Sequence, residues 1–148
     1  MDTDIVSTVA SWPGVEVEPH RFAGSEFTLG GREFGHIHGT HQVDIPFAKR
    51  VRDVVVEQGL TAKHHLFPDS GWVTTHVDSE ADAERAVWLL RLSYLSHVAA
   101  LQRRGTVAAV DGIDVANEVD ALDPPAAIRE FLTARSTGTT ESTTAAGR

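Results

Sequence analysis

The chain has 148 residues, 13 Lys+Arg against 21 Asp+Glu, eight histidines and no cysteine, for a formal charge of −8 with neutral histidines. At 41% hydrophobic and 23% charged residues it matches a soluble globular chain of one domain, and no apolar run approaches the ~18 residues of a membrane-spanning helix. The missing cysteines exclude disulfides, Fe–S ligation, Cys-based zinc sites and a thiol nucleophile, leaving histidine and carboxylate as the reactive groups.

The acidic balance speaks against a nucleic-acid partner, because phosphate binding needs clustered Lys and Arg. The only local basic excess is Lys49, Arg50, Arg52 and Lys63, too small for a duplex footprint. Met1-Asp2-Thr3-Asp4 lacks the basic and apolar regions of a signal peptide and points to a cytoplasmic protein without a membrane anchor.

Ile5, Val6, Val9 and Trp12 have the spacing of a short amphipathic helix stopped by Pro13-Gly14. Val15-Glu16-Val17-Glu18 alternates as a strand. Glu26 to His38 reads as a hairpin turning at Gly30-Gly31, which supply the positive φ of a two-residue turn. That register pairs Leu29 with Arg32 and Phe27 with Phe34, and parity then puts His36 and His38 on the same face as the two phenylalanines.

Val43, Ile45 and Phe47 mark another strand, followed by a helix from about Pro46 to Gln58 closed by Gly59. Thr61 to Gly71 is a loop whose turn formers Pro68, Asp69, Ser70 and Gly71 lead into a strand from Trp72 to Val77. Ser79 caps a long helix running to about Arg104, with Val87, Leu90, Tyr94, Val98 and Leu101 as its core stripe and Gly105 as its stop. Beyond it the chain turns acidic, with a strand expected near Val107 to Val110 and a last short helix from Pro124-Pro125 to about Arg135. Residues 136 to 148 hold five threonines, two serines and no large apolar residue, the composition of a disordered tail.

Six of the eight histidines, His36, His38, His41, His64, His65 and His76, fall between residues 36 and 76. His36-x-His38 on a strand points both rings one way, His41 follows Gly39, and Asp44 adds a carboxylate. Two histidines with one carboxylate suit Fe(II) or Mn(II), and three histidines suit zinc. Acid–base use of the imidazoles and a purely structural, hydrogen-bonded role stand beside metal ligation as open alternatives. A second candidate is the stretch His64-His65-Leu66-Phe67-Pro68-Asp69-Ser70-Gly71-Trp72, where two imidazoles adjoin apolar Leu66, Phe67 and Trp72. Ser70 lacks a Gly-x-Ser-x-Gly elbow. No Walker loop or Gly-x-Gly-x-x-Gly motif is present, so no nucleotide cofactor is expected, while a divalent metal stays open.

The ordered blocks Trp12-Pro13-Gly14-Val15, Gly30-Gly31-Arg32-Glu33-Phe34-Gly35-His36-Ile37-His38-Gly39, Val43-Asp44-Ile45-Pro46-Phe47, His64 to Val73 and Leu89-Leu90-Arg91-Leu92-Ser93-Tyr94 resemble the luciferase-domain family, over roughly residues 12 to 95. That family takes its name from the fungal luciferases and includes many uncharacterised bacterial and archaeal proteins. The resemblance implies oxygenation of a reduced pyrone-type molecule by O2 without a nucleotide cofactor. On this chain it implies His36, His38 or His65 as base, beside a dry pocket containing Phe34, Phe67 and Trp72. A fainter resemblance, in Gly71-Trp72-Val73 and the helix with Leu90 and Ser93-Tyr94, is to YjbR-like proteins, often labelled DNA-binding, a label the −8 charge opposes.

The expected architecture is α+β: a mostly antiparallel sheet with helices packed on one side. Residues 1–104 are read as the luciferase-like domain, 105–135 as an acidic extension with a short helix, and 136–148 as the tail. The expected site consists of His36, His38 and His65 as catalytic groups and Phe34, Asp44, Phe67, Ser70 and Trp72 around a small-molecule substrate. The competing reading is a non-catalytic binding or interaction module.

Overall fold

A computed structural model of the chain describes residues 3–20, 24–64 and 66–137. Among them the order is α1 (Ile5–Ala10), β1 (Val15–His20), β2 (Gly24–Leu29), β3 (Arg32–His38), β4 (Gln42–Pro46), α2 (Lys49–Glu57), β5 (Ala62–Lys63), β6 (Trp72–His76), α3 (Glu80–Arg104), a 3-10 turn (Ala108–Val110), α4 (Val115–Leu122) and α5 (Ala126–Thr137). The strands form one antiparallel sheet in the order β1-β2-β3-β4-β6-β5, so the fold is α+β. Pro19 is tolerated because β1 is an edge strand, where a missing amide donor costs no ladder bond. Two-residue β5 lies within the stretch that sequence alone reads as loop.

The β2–β3 hairpin turns at Gly30 and Gly31, with φ of +60° and +79°, and Leu29 pairs with Arg32 as alternation predicts. The next pairs depart from that expectation. Thr28 sits opposite Glu33 but Phe27 opposite Gly35, which leaves Phe34 as the extra residue of a β-bulge. Phe34 is fully buried, its ring 5.6 Å from that of Tyr94 on α3. Gly35 also faces α3: a Cβ there would stand 2.4 Å from Leu90 Cδ2. The shared face of Phe27, Phe34, His36 and His38 is therefore corrected. The inserted residue resets the parity, so the two phenylalanines enter the core while Glu33, His36 and His38 gather on the other side of the strand around Asp44.

Helix α3 is held at both ends by local chemistry. Ser79 Oγ accepts the Asp82 amide at 3.1 Å, and Gly105 stops the helix with φ of +66°. In between, Ser93 Oγ lies 2.9 Å from the Phe34 carbonyl and 3.1 Å from that of Pro46, joining the helix to β3 and β4. The Tyr94 hydroxyl donates to the Pro13 carbonyl at 2.6 Å. Ile37, Val43, Ile45 and Val73 from the sheet join Leu89, Leu90 and Val98 from α3 in one buried cluster.

The segment after Gly105 differs from the sequence expectation. In place of a strand near Val107 to Val110 there is a 3-10 turn, and Val115–Leu122 forms an additional helix. Gln102 Nε2 donates to the carbonyls of Val110 and Ile113 at 2.8 and 2.7 Å, satisfying acceptors that a sheet ladder would otherwise need. Asp114 caps α4 by accepting the Asn117 amide at 3.1 Å, and Val115, Val119, Ile128 and Leu132 are buried in the same cluster as α3. From residue 138 onward the expected tail lies outside the described residues.

Where β6 begins, the Phe47 amide donates to the Gly71 carbonyl at 3.0 Å, and a Cβ at Gly71 would stand only 1.9 Å from the Phe47 carbonyl oxygen. Backbone on both sides leaves no flexible atom to move. Gly71→Ala is expected to lower the unfolding free energy by about 3 kcal/mol. Gly112→Ala, which meets nothing within 4 Å, should stay within about 0.5 kcal/mol of the parent chain. Urea denaturation of the two variants checks this, and equal losses would contradict it.

Candidate functional site

The site grows from one cross-strand row. The register sets Glu26 opposite His36, His36 opposite Asp44, Asp44 opposite Thr74 and Thr74 opposite Ala62. His38 and Gln42 form the adjacent pair on β3 and β4, two residues along. Short strands with fixed pairing thus bring polar groups from three strands together with no help from a flexible loop.

Asp44 lies at the centre, 1% exposed. Its Oδ1 accepts the Thr74 hydroxyl at 2.8 Å. Its Oδ2 lies 3.0 Å from His36 Nε2, 3.2 Å from His38 Nε2, 3.5 Å from Gln42 Nε2 and 3.6 Å from His64 Nε2. A buried carboxylate is costly unless its oxygens are met by donors, and here three imidazoles, an amide and a hydroxyl surround it.

The second nitrogen of two of these rings is also assigned by its partner. His36 Nδ1 is 2.5 Å from Glu33 Oε2, so both ring nitrogens face carboxylates, which are acceptors only, and the ring is held as imidazolium. His64 Nδ1 accepts the amides of Leu66 and Phe67 at 3.0 and 3.2 Å, which leaves the ring proton on Nε2, directed at Asp44. For His36, burial pulls the pKa down, but hydrogen bonds and charge from Asp44 and Glu33 overcome it and raise it to about 9. For Asp44, burial pushes upward, yet hydrogen bonds from His36 and Thr74, with the charge of His36 and His64, hold the carboxyl well below its usual range.

Aromatic groups line the cluster. The Trp72 ring lies 5.3 Å from His36 and 6.3 Å from His64, and Phe67 stacks on His64 at 5.3 Å. Phe67 is 61% and Leu66 66% exposed, an apolar pair at the rim. The loop bearing them is anchored from α2: Arg52 Nη1 donates to the carbonyls of Pro68 and Ser70 at 2.9 and 2.7 Å.

The expected site residues separate. His36, His38, Asp44 and Trp72 come together, with Phe67 at the rim. Phe34 is corrected to a core residue, displaced by the bulge. Ser70 organises the turn: its hydroxyl donates to the Phe67 carbonyl at 2.7 Å and accepts the Trp72 amide at 3.1 Å. His65 lies outside the described residues. His41 faces the Val77 carbonyl at 3.5 Å, His76 is exposed, and His97 packs near Phe34 in the core. Glu33, His64, Thr74 and Arg52 complete the site. Of these His64 carried a sequence signal as a member of the histidine-rich stretch, Arg52 only as part of the local basic excess, and Glu33 only within a block of the family resemblance.

This is an α+β protein with a buried histidine–carboxylate centre on its sheet. Residues 31–93, a stretch that holds every residue of the cluster except Glu26, match the family model described as Luciferase domain. No curated protein and no solved structure matches the chain. The fainter YjbR-like resemblance is not shown by these comparisons. No helix among the described residues is long and apolar enough to cross a membrane.

The direction of the His36 shift sets an alkaline limb of stability. A histidine whose folded pKa is raised contributes most below its unfolded value of about 6.5, and that contribution fades as pH rises through about 9. Asp44 works from the other side: its contribution is present above the usual carboxylate range and fades as pH falls below it. In chelator-treated protein the melting temperature is expected to fall between about pH 7 and 9.5, and in His36→Gln this limb should flatten. Parallel profiles for the two proteins would contradict the assignment.

Proposed function

We propose that this luciferase-like domain binds a small organic molecule at the Asp44 centre and oxidises it with O2. The observation that carries this reading is the convergence of His36, His38 and His64 on a single buried carboxylate oxygen, bordered by Trp72 and the exposed Phe67. A carboxylate backed by imidazoles can take the proton of an acidic hydroxyl, and an aromatic rim favours a planar, apolar body. The substrate class that satisfies both is an enol or phenol, whose anion is electron-rich enough to react with oxygen. The luciferase-domain match supports the same chemistry, since that resemblance implies O2 and a pyrone-type substrate.

The competing reading, a binding module without turnover, draws on the exposed Leu66 and Phe67, which serve capture equally well. Oxygen uptake separates the two. With a panel of hydroxypyrones and phenols, the parent protein should show binding by tryptophan fluorescence and consume oxygen. Asp44→Asn should lose about 100-fold or more of the turnover. Trp72→Phe should weaken binding while retaining the fold. Uptake undiminished in a folded Asp44→Asn protein would overturn the assignment of chemistry to this centre, and binding without uptake would leave the binding module.

A further inference from the structure

We infer that His36, His38 and Asp44 form a mononuclear site for a divalent first-row metal ion of the Fe(II) or Mn(II) kind, with His64 beside it as a hydrogen-bond donor and not a ligand. The inference deepens the proposed function and rests on it only for what the metal's open positions would do.

The donor geometry is the first argument. One ligand atom from each of the three residues lies within 4.8 Å of the others, and Asp44 Oδ2 is 3.0 and 3.2 Å from the two Nε2 atoms. Ligands about 2.0–2.2 Å from a common ion, at angles of about 90–109°, stand roughly 3.0–3.4 Å apart. The carboxylate-to-imidazole edges already have that length, whereas the longest separation in the set, up to 4.8 Å, has to shorten on binding, which rotation of the partly exposed His38 ring allows. All three residues belong to the paired strands β3 and β4, so the sheet brings the donors close before any ion arrives.

Outer partners supply the second argument. A metal-bound histidine commonly donates its remaining N–H to a carboxylate, and a ligating carboxylate is itself hydrogen-bonded. Glu33 occupies the first position on His36 Nδ1, and Thr74 occupies the second on Asp44 Oδ1, leaving Nε2 and Oδ2 directed at the shared point. Charge agrees. Glu33 and Asp44 bring two negative charges to the cluster, and a dication with neutral His36 and His38 balances both.

His64 is set apart by its tautomer. Because its Nδ1 accepts two backbone amides, Nε2 keeps its proton and has no lone pair for a metal. It directs an N–H toward Asp44 Oδ2, 3.6 Å away, instead. Two imidazoles and one carboxylate, with further positions left to water or a substrate oxygen, are the donor set of oxygen-activating Fe(II) sites; a closed structural zinc site takes four protein ligands.

The test uses the full chain, stripped with chelator and titrated with Mn(II) and, separately, Co(II), followed by calorimetry, by the Mn(II) EPR signal and by Co(II) visible absorption. One ion per chain is expected, with the weak absorption of a five- or six-coordinate Co(II) centre. His38→Gln, which changes the partly exposed ring, and Asp44→Asn should each weaken binding about 100-fold, and Glu33→Gln about 10-fold. His64→Gln should bind within a few-fold of the parent. Circular dichroism identifies any variant that fails to fold, and His38→Gln carries the test if Asp44→Asn does. Absence of stoichiometric binding, binding unchanged in folded His38→Gln, or loss of binding in His64→Gln matching that in His38→Gln would overturn the inference. Metal binding without oxygen uptake would leave this site standing and remove the oxidase reading, whereas oxygen uptake by protein that binds no metal would do the reverse.

Discussion

A carboxylate buried to 1% exposure in the middle of a sheet is the constraint around which the polar face of this protein is arranged. Desolvating such a charge costs several kcal/mol, and the cost is offset only when both oxygens are met by donors of good geometry. Asp44 meets that requirement through Thr74 on one neighbouring strand and His36 and His38 on the other, with Gln42 of its own strand and His64 of the loop farther off at 3.5 and 3.6 Å. His36 in turn needs Glu33. The network therefore links the identity of one side chain to the register of three strands and to the path of the loop before β6. A polar cluster of this kind is an uneconomical way to hold a sheet together, since an apolar row of similar volume would cost less to bury.

The opposite face follows the ordinary logic of a hydrophobic core. Phe27, Phe34, Trp12 and Tyr94 form an aromatic group with ring separations of 5.2 to 6.4 Å. The Arg91 guanidinium lies 4.9 Å from both the Trp12 and Tyr94 rings and pairs with Glu118 of α4 at 2.9 Å. Trp88 adds a donated hydrogen bond to the Leu122 carbonyl at 3.0 Å. Helix α3 is thus the element on which the sheet and the segment after Gly105 both pack. The bulge at Phe34 lets one strand serve both faces within seven residues: it feeds two positions in succession to the core and delivers His36 and His38 to the site.

Much of the fold was legible in the chain because its signals are local. Ser79 and Gly105 bound α3 through caps that depend on a residue and its immediate neighbours, and Gly30-Gly31 specify a turn that only positive φ permits. The parts that were not legible depend on partners distant in sequence. The 3-10 turn at Ala108–Val110 stands where a strand was expected, with Gln102 donating to the carbonyls of Val110 and Ile113, and α4 persists on the burial of Val115 and Val119 beside α3. Phe34 was misplaced for a related reason: alternation has period two, and an inserted residue that reverses it leaves no mark in composition.

The sequence by itself determined the chemical inventory: no thiols, a concentration of histidines between residues 36 and 76, a carboxylate at Asp44, an α+β pattern, and a stretch, residues 31–93, that matches the Luciferase domain model. Only the tertiary structure decided which of those groups meet. It joined Glu33, His36, His38, Asp44, His64 and Thr74, sent Phe34 to the core, and gave Ser70 to a turn. The physical reason is that a residue's type fixes what it can donate, accept or ligate, whereas its partner is set by strand register, and one bulge is enough to change which face every later side chain occupies.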